Sequence, residues 1–449
     1  MIVSENLKTL SSIFKSNGFS LYLVGGAVRD YLLKKPGHDF DFTTDARPEE
    51  IKKMFRHTID TGIKHGTVTV LFKGGSYEIT TFRTESDYSD SRHPDSVTFV
   101  RSLSEDLKRR DFTINAFACD LSNGEIIDEH GGFDDLKNGV IRAIGNPRER
   151  FKEDALRIMR AARFSSKLGF SIEEETKKAM KELSPTITKV SEERIREELF
   201  RLIDSSFPRL GLETMEETGL MEIILPELYK CKAIEGEGYH KENLLEHHIL
   251  ALESAERLKA SLTVKIASLL HDIGKVKAER WNGEKFTYYS HEIIGSEMAA
   301  SIMSRLKSSN KDRDDVALLI REHMIQYSPS WSDGAIRRMI VRVGKENLEN
   351  LFILRECDRN ATLALPESFN DDALKERINK ELSSSPVLTL KDLKVNGKDL
   401  SDITGKGPLT GKVLKALLEM VIDTPSLNDK ELLLEKATEL VDKETSGIN

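Results

Sequence analysis

The chain has 449 residues, which exceeds what one ordinary hydrophobic core encloses and predicts roughly two to four domains. Hydrophobic residues make up 39% and charged residues 32% of the sequence, as in packed soluble domains, and no apolar run is long enough to span a bilayer. The net charge of −8 argues against a nucleic-acid partner on average, yet basic side chains cluster locally at Lys108–Arg110 and from Arg157 to Lys167. Composition therefore leaves nucleic-acid binding open.

The cysteines and the N-terminal segment predict a cytoplasmic protein. Cys119, Cys231 and Cys357 are scattered singly, without a CxxC pair, which indicates reduced thiols and neither a disulfide framework nor a zinc knuckle. The opening MIVSENLKTLSSIFKSNGFS mixes polar and apolar residues at helical spacing. It lacks the basic start and apolar block of a signal peptide.

The first 145 or so residues predict a mixed head of strands and helices. LYLVGG has the pattern of a short apolar strand that ends in a glycine turn, and AVRDYLLKK follows as a helix. HDFDFTT, GTVTVLF and YEITTFR are β-rich and predict further strands. A glycine-rich segment, DEHGGFDDLKNGVIRAIGNP, then interrupts the pattern and ends near Pro147.

Two acidic residues in the head predict a metal site. Asp39 and Asp41 lie two residues apart in an extended segment, so both carboxylates project from the same face of the strand. Adjacent carboxylates repel each other unless a divalent cation lies between them. Glu78, on another predicted strand, brings a third oxygen ligand if the two strands are neighbours.

A glycine turn upstream predicts an anion site beside this pair. Gly25 and Gly26 follow a strand and open a helix, where backbone N–H groups meet a phosphate, and Arg29 adds a guanidinium one turn later. Either signal alone is weak, because such acidic pairs are usually solvated and such glycine pairs are usually only turns. Their combination within one βαβ-sized unit is much rarer by chance.

Beyond Pro147 the periodicity predicts helices almost without interruption. RERFKEDALRIMRAARFSSKLGF is predicted as one helix, followed by SEERIREELFRLI and LLEHHILALESAERL, and a last helical unit begins near GPLTGKVLKALLEMV. We therefore predict an α+β fold with four parts: a head (1–146), a helical neck (147–205), a helical body (206–384) and a helical tail (385–449).

The head and neck motifs resemble a known family. LVGGAVRDYLLKKPGHDFDFTT resembles the signature of class II tRNA nucleotidyltransferases and bacterial poly(A) polymerases, a branch of the polymerase-beta superfamily. RRDFTINAFACD resembles the second motif of this family and EDALRIMRAARF its nucleotide-selecting motif, in the family order. The resemblance implies a polymerase-beta-like nucleotidyltransferase head with a mixed sheet. It also implies that this head adds CCA, or part of it, to the tRNA 3′ end from CTP and ATP, with release of pyrophosphate.

The resemblance also implies roles for single residues. Asp39 and Asp41 would bind two Mg²⁺ ions, and Arg110 and Asp111 would contact the sugar and phosphates of the incoming nucleotide. The nucleotide-binding residues that it implies are Gly25, Gly26, Arg29, Arg110, Asp111, Glu153, Asp154, Arg157, Arg160 and Arg163. The segment ESDYSDSRHPDSV matches the flexible loop of the family and favours addition of the terminal A.

In the neck, three residues form a candidate amino-acid template. Glu153, Asp154 and Arg157 are spaced to share one face of the predicted helix, a pattern that is usually only a surface ion pair. Under the resemblance, Asp154 accepts from the exocyclic amino group of cytosine or adenine and Arg157 donates to the adjacent ring nitrogen. Uracil and guanine present the opposite edge, which leaves buried groups unpaired. Glu153 would brace Arg157.

The body carries a second candidate metal site. Six of the eleven histidines fall between His240 and His323, and HDIGK resembles the central motif of the HD phosphohydrolase superfamily. The resemblance implies a site for Mn²⁺, Ni²⁺, Fe²⁺ or Mg²⁺ that hydrolyses a phosphoester. Its ligands would be His247, His271, Asp272, His291, His323 and Asp358. The competing interpretation is a helical scaffold that has lost the metal.

Three alternatives to CCA addition stay open at this point. The chain could add only the terminal A, or it could be a poly(A) polymerase with the same head. It could also be an HD phosphohydrolase whose head is an inactive RNA-binding module. In the tail, Gly405–Pro408 leads into a helix and either holds a tRNA phosphate or only turns the chain.

Overall fold

The computed structural model describes residues 4–35, 40–63, 66–86, 96–235, 243–362, 371–384, 386–405 and 407–445. Asp39, most of the predicted flexible loop and Lys406 lie outside these residues. The chain divides into two compact units, Met1–Lys230 with Ser304–Ser308, and Cys231–Met303 with Ser309–Asn449. Among the described residues, no helix combines the length and apolar character that crossing a membrane requires.

The first unit contains a seven-stranded mixed sheet with the order β3-β4-β5-β2-β1-β8-β9. Strand β2 is parallel to β5 and antiparallel to β1, which confirms the predicted mixed sheet. The strands of this unit are β1 (Leu21–Val24), β2 (Asp41–Thr44), β3 (Thr58–Gly62), β4 (Thr67–Phe72), β5 (Gly75–Thr81), β6 (Arg83–Ser86), β7 (Ser96–Phe99), β8 (Ala118–Asp120), β9 (Ile126–Ile127), β10 (Val140–Ile141) and β11 (Ser171–Ile172).

Strand alternation separates the hydrophobic core from the polar face of this sheet. Phe42 and Ile79, which are neighbours across β2 and β5, are buried in a core with Phe14 of the first helix. Successive side chains of a strand point to opposite faces. Asp41 and Glu78, one residue before Phe42 and Ile79, are therefore exposed on the other face.

Helices make up most of the remaining first unit. They are α1 (Glu5–Ser16), α2 (Gly26–Leu32), α3 (Pro48–Met54), α4 (Leu103–Lys108), α5 (Gly132–Asn138), α6 (Pro147–Glu153), α7 (Leu156–Leu168), α8 (Glu174–Leu183), α9 (Glu192–Ile203), α10 (Pro208–Glu217), α11 (Leu220–Ile224) and α12 (Pro226–Lys230). Buried Ile158, Met159, Ala162 and Phe164 line α7 at helical spacing.

The prediction of one continuous helix from Arg148 to Phe170 is wrong. Helix α6 ends at Glu153, and Asp154 adopts an extended conformation with φ −142° and ψ 106° before α7 begins. The Asp154 carboxylate accepts a hydrogen bond from the Leu156 N–H at 3.0 Å, which satisfies a donor that the helix break leaves open. Glu153, Asp154 and Arg157 therefore do not share one helix face.

The regular structure of the second unit, over the residues that the structure describes, is helical apart from a short hairpin. Its helices are α13 (Leu244–Arg257), α14 (Leu262–Leu270), α15 (Lys275–Ala278), α16 (His291–Arg305), α17 (Asn310–Glu322), α18 (Asp333–Val343), α19 (Leu348–Ala361), α20 (Asp371–Ser383), α21 (Ser401–Thr404), α22 (Pro408–Asp423) and α23 (Lys430–Thr445). The hairpin pairs β12 (Arg280–Trp281) with β13 (Phe286–Thr287). The C-terminal helices have a core of their own, which includes Leu400, Leu417 and Leu433.

Candidate functional site

Three neighbouring strands bring the glycine turn and two carboxylates into one row. Val24, the last residue of β1, pairs with Asp41 on β2, and Asp41 pairs in turn with Glu78 on β5. The condition that Glu78 must lie on a neighbouring strand is therefore met. Carboxylate oxygens are the ligands that Mg²⁺ prefers, so exposed Asp41 and Glu78 suit this ion.

The glycine turn allows two guanidinium groups to approach the backbone. Gly25 has φ 69° and ψ −135°, a conformation that favours glycine, and a Cβ atom there would lie 3.2 Å from Nη1 of Arg110. A Cβ atom on Gly26 would lie 3.4 Å from Nη2 of Arg29. The close approach therefore favours glycine at position 25, whereas a Cβ on Gly26 would make only an ordinary van der Waals contact.

Arg110 is held by a buried carboxylate that the sequence interpretation missed. Asp106 has a fully buried side chain and contacts Nη2 of Arg110 at 3.4 Å and Nη2 of Arg109 at 2.9 Å. Burial opposes ionisation of Asp106, but the two guanidinium groups outweigh it and lower its pKa. Within the described residues, Nε of Arg110 is a buried donor without a hydrogen-bond partner. An anionic ligand would satisfy this donor.

Arg29 and Asp111 belong to one buried polar network. Arg29 is 2% exposed and donates from Nη1 to Oδ1 of Asn115 at 2.5 Å. Asn115 donates to Oδ1 of Asp111 at 3.2 Å, and Arg160 donates to Oδ2 of Asp111 at 2.6 and 2.8 Å. Burial disfavours the charge on Asp111, but the Arg160 guanidinium outweighs this effect, so the pKa of Asp111 is about 2. Asn115 was missed because its role depends on these distant partners.

Arg163 lies deeper in the same network than its predicted role requires. Its Nε donates to Oε2 of Glu198 at 2.5 Å, and its side chain is 9% exposed. Glu198 also lies 3.6 Å from Nη1 of Arg160. The guanidinium carbons (Cζ) of Arg29, Arg160 and Arg163 lie 4.1 to 5.4 Å from the centre of the Phe164 ring. These contacts suit a supporting role for Arg163, whereas Arg160 is more exposed.

In the neck, Arg157 and Asp154, the residues predicted to recognise the base, are each held by different hydrogen-bond partners. Arg157 donates to Oε2 of Glu153 at 2.6 Å and to the carbonyl oxygens of Arg150 and Arg109 at 3.1 and 3.2 Å. Glu153 therefore contacts Arg157, although the helix is broken between them. Asp154 receives two N–H groups of Arg194 on α9, at 2.8 and 3.4 Å. Arg194 lies 40 residues away in sequence, so spacing gave no signal for it.

In the second unit, all six predicted ligand residues converge. His247 lies on α13, His271 and Asp272 directly follow α14, His291 begins α16, His323 follows α17 and Asp358 lies on α19. Nε2 of His247 lies 3.0 Å from Nε2 of His271 and 3.2 Å from Oδ1 of Asp358, and the last two atoms are 3.4 Å apart. Ligands about 2.1 Å from one ion lie about 3.0–3.4 Å from each other. The three atoms therefore fit a common metal ion.

Asp272 joins this group to a second one. Its Oδ2 lies 3.5 Å from Nε2 of His271, whereas its Oδ1 lies 3.0 Å from Nε2 of His291 and 3.6 Å from Nε2 of His323. The two groups, His247-His271-Asp358 and Asp272-His291-His323, each have the donor set of a metal site. The Asp272 carboxylate faces both of them.

Backbone carbonyls fix the orientation of three of the imidazoles. Nδ1 of His271, His291 and His323 lies 2.6 to 2.9 Å from the carbonyl oxygen three residues earlier. A carbonyl only accepts, so each Nδ1 carries the proton, and in the neutral ring Nε2 is left with a lone pair. Nε2 of His323 is buried and has no hydrogen-bond partner among the described residues. These features suit a divalent cation.

Oppositely charged residues within the group shift the pKa values of Asp272 and His271. Burial disfavours ionisation of Asp272, but Lys275, at 2.5 Å, and His271 hold its pKa well below the usual range. Burial lowers the pKa of His271, yet the carboxylates of Asp272 and Asp358 outweigh burial and raise it to about 8. A bound cation would replace this proton, since a metal ligand must be deprotonated.

Comparison with known families agrees with this architecture. Residues 21–142 match the family described as "Poly A polymerase head domain", residues 169–231 match "Probable RNA and SrmB- binding site of polymerase A", and residues 244–363 match "HD domain". The chain is thus a nucleotidyltransferase with a poly A polymerase head and an HD domain. The resemblance inferred from the sequence motifs is confirmed.

Full-length relatives make the assignment more specific. The chain is 38% identical to the CCA-adding enzyme of Ligilactobacillus salivarius over 95% of this chain and 94% of the relative. It is 37% identical to the CCA-adding enzyme of Enterococcus faecalis over 93% and 92% of the two chains. The crystal structure of the Bacillus stearothermophilus CCA-adding enzyme in complex with CTP superposes with a TM-score of 0.73 at 30% identity, covering 99% of this chain and 98% of that one. This chain belongs to the CCA-adding enzyme family.

Proposed function

We propose that this protein adds C, C and A to the 3′ end of tRNA from CTP and ATP, without a nucleic-acid template. The observation that carries the proposal is the row formed by the Gly25 turn, Asp41 and Glu78 across three adjacent strands. Full-length similarity to CCA-adding enzymes favours this function over A-only addition and over poly(A) synthesis. The buried free cysteines Cys119, Cys231 and Cys357 suit a reducing cytoplasm.

In this proposal the carboxylates hold two Mg²⁺ ions. Asp39 and Asp41 are the main ligands, and Glu78 adds an oxygen from the neighbouring strand. When bound, the ions lower the pKa of the tRNA 3′-hydroxyl and neutralise the triphosphate. The 3′-hydroxyl gives its proton to water, its oxygen bonds to the α-phosphorus, the bond from this phosphorus to the bridging oxygen breaks, and pyrophosphate leaves. Positioning and charge neutralisation supply most of the rate enhancement.

The glycine turn and the basic side chains around it bind the nucleotide phosphates and sugar. The Gly26 N–H and the buried Nε donor of Arg110 are the candidate phosphate donors at this turn, which directly follows Val24, the strand partner of Asp41. The Gly25 N–H already donates to the Phe117 carbonyl oxygen at 3.3 Å, so Gly25 serves by letting Arg110 come close. Arg29 and Asp111 hold this arrangement through Asn115 and contact the nucleotide from the same side. Removing any one of these groups would loosen the triphosphate or ribose.

Base selection is assigned to Asp154 and Arg157. Arg157 is restrained by Glu153 and two backbone carbonyls, and Asp154 is restrained by Arg194. Asp154 then accepts from the exocyclic amine of cytosine or adenine, and Arg157 donates to the ring nitrogen.

The proposal also includes the four predicted parts of the chain, with the boundaries 1–146, 147–205, 206–384 and 385–449.

Extension of defined tRNAs tests the main function. Purified protein with Mg²⁺ is offered tRNAs that end before the first C, after C and after CC, with each nucleoside triphosphate separately. We expect Asp41→Asn to lower incorporation by at least about a thousandfold, because it removes an anionic metal ligand. Asp45→Asn is the matched control, since Asp45 accepts from the Ser20 N–H and its amide oxygen would keep this bond. Exclusive addition of A, or long A tails, would contradict the proposal.

A second activity is favoured by the convergence of six ligand side chains in the HD domain. We propose that this domain hydrolyses phosphoesters: the oxygen of water bonds to phosphorus, the ester bond breaks, and an alcohol and phosphate are released. When bound, divalent ions such as Mn²⁺, Ni²⁺, Fe²⁺ or Mg²⁺ polarise the ester and activate water. Lys275, beside Asp272, is a further cation for the phosphate.

The HD proposal is tested with Mn²⁺ and a simple ester, p-nitrophenyl phosphate. The double variant His271→Ala, Asp272→Ala should lose stoichiometric Mn²⁺ binding in equilibrium dialysis and lose Mn²⁺-dependent hydrolysis, because it removes ligands from both groups. CCA addition by the same preparation is the control and should be unchanged. Mn²⁺-dependent hydrolysis by the double variant would contradict the assignment of the activity to the HD group.

A further inference from the structure

A short hairpin in the second unit carries exposed aromatic side chains. Strand β12 pairs with β13 so that Trp281 faces Phe286, with ring centres 5.1 Å apart and planes at 65°. The turn between the strands is closed by Asn282, whose Oδ1 accepts from the N–H groups of Glu284 and Lys285 at 2.9 Å each. The two rings are therefore held on a defined turn.

The exposure of these rings is concentrated in one segment. Trp281 is 58%, Phe286 39% and Tyr289 83% exposed. All exposed aromatic side chains that the structure describes in the second unit lie between residues 281 and 289. We call Trp281, Phe286 and Tyr289 the aromatic hairpin residues. Large apolar groups clustered at a surface mark an interaction site.

Both ends of the segment are attached to the HD metal-binding group. At the start, Nζ of Lys275 lies 2.5 Å from Oδ2 of Asp272 and 5.9 Å from the centre of the Tyr288 ring. At the end, the Tyr288 carbonyl accepts from Nδ1 of His291 at 2.8 Å. Ser290, between them, has a φ of 60°, in the left-handed region that favours glycine. The hairpin therefore leaves the candidate ligands at Asp272 and returns to them at His291.

From this continuity we infer that the aromatic hairpin residues form a stacking platform for the base of a ribonucleotide whose phosphate reaches the HD group. The inference rests on the proposed phosphohydrolase function and names its substrate class: a phosphoester that carries a nucleobase, either a mononucleotide or a single-stranded RNA 3′ end. Bases stack on aromatic side chains regardless of their sequence. Lys275, between the Tyr288 ring and Asp272, lies where the phosphate would pass from base to metal site.

A second protein chain fits this surface less well than a nucleotide does. An aromatic side chain buries about 150–250 Å² when fully covered, and a stable interface buries about 800 Å² per partner. Three partly exposed rings supply roughly half of that area. Three exposed basic side chains, Lys277, Arg280 and Lys285, outnumber the one exposed acidic side chain of this segment, Glu284. This balance suits a phosphate-bearing ligand better than an apolar interface.

Tryptophan fluorescence reports directly on the platform. The sequence has two tryptophans, so Trp331→Phe leaves Trp281 as the only one. We expect adenosine 3′-monophosphate, and a short single-stranded oligoribonucleotide with a 3′-phosphate, to quench Trp281 saturably. Ribose 5-phosphate, which has the phosphate but no base, should bind at least tenfold more weakly. Quenching by the oligoribonucleotide but not by the mononucleotide would identify an RNA end as the source.

Variants separate the platform from the metal site. In the Trp331→Phe background, Phe286→Ala should weaken nucleotide binding at least tenfold. In the otherwise unchanged protein, Trp281→Ala should raise KM for hydrolysis of the nucleotide at least tenfold, with kcat little changed and p-nitrophenyl phosphate hydrolysis unaffected. Leu432→Ala is the control, because Leu432 is an exposed apolar residue of the same unit outside the hairpin. CCA addition should be unchanged in all variants.

Three results would overturn the inference. Equal quenching by ribose 5-phosphate and adenosine 3′-monophosphate would show that no base is bound. Trp281 emission that depends on protein concentration, with Trp281→Ala shifting sedimentation toward monomer, would identify a second copy of the chain as the occupant. If p-nitrophenyl phosphate is hydrolysed with Mn²⁺ but no nucleotide quenches Trp281, the platform fails while the phosphohydrolase survives. If the wild-type protein neither binds Mn²⁺ nor hydrolyses p-nitrophenyl phosphate, the proposed phosphohydrolase function itself is contradicted.

Discussion

At the residue scale, Asp111 links the chemistry of the head to its stability. Its pKa of about 2 lies below the ordinary value near 3.8, so its ionised form is stabilised in the folded protein. A lowered pKa contributes stability that is complete above the ordinary value and is lost as pH falls through the folded value. The Arg160 guanidinium, which donates two hydrogen bonds to Asp111, is the main favourable partner of this charge.

We therefore expect Asp111→Asn to lower the free energy of unfolding by about 2 kcal/mol at pH 7. The difference from wild type should shrink as pH falls from about 4 toward 2, where wild-type Asp111 becomes protonated. Urea denaturation at pH 7 and at several acidic pH values measures it. A difference that stays constant over this range would show that the charge of Asp111 contributes nothing.

Arg194 is the residue on which base selection is expected to depend indirectly. Its two N–H groups hold both oxygens of Asp154, so Arg194→Gln should let this carboxylate rotate. We expect kcat/KM for CTP to fall roughly tenfold, which corresponds to about 1.4 kcal/mol for a charge-assisted hydrogen bond, and misincorporation of UTP to rise. Arg201→Gln, at an exposed position of the same helix, is the control. If Arg194→Gln still discriminates CTP from UTP while Asp154→Ala does not, Arg194 has no role in base selection, and the role of Asp154 is unaffected.

At the scale of elements, the turn between β1 and α2 makes a prediction with an internal control. Gly25→Ala introduces a Cβ atom 3.2 Å from Nη1 of Arg110 and strains a φ of 69°. Gly18→Ala strains a φ of 83° but meets nothing within 4 Å. Both variants should lose about 1–3 kcal/mol of stability. Only Gly25→Ala should also raise KM for CTP, by tenfold or more, because it displaces Arg110. Equal KM values in the two variants would contradict the role of the turn.

Local patterns were enough to predict most elements but not the break in the neck. The strands around Asp41 and Glu78 and the helices that carry the HD residues follow from alternation and helical periodicity. The interruption at Asp154 was missed because apolar spacing continues through it. What stops the helix is a side chain that bonds to Leu156 and to Arg194, and the second partner comes from another helix. A pattern within one segment contains no information on such a contact.

At the scale of the whole molecule, the sequence predicted the order of parts and the mixed sheet, and both family matches and full-length relatives confirm the class. The six candidate ligands of the HD group were predicted from their order along the sequence, and the structure brings them together. The residues that support the sites were not predicted. Asp106, Asn115 and Arg194 act through partners that are brought close only by folding. Supporting contacts of this kind depend on tertiary structure.

The pairing of Val24, Asp41 and Glu78 has an evolutionary consequence. Sliding β2 by a single position would turn Asp41 inward and Phe42 outward, so the proposed metal ligand and the core packing would be lost in the same event. An insertion or deletion inside this strand is therefore doubly selected against. Differences in length among relatives should therefore accumulate outside residues 39–44, which include both proposed aspartate ligands and the strand itself.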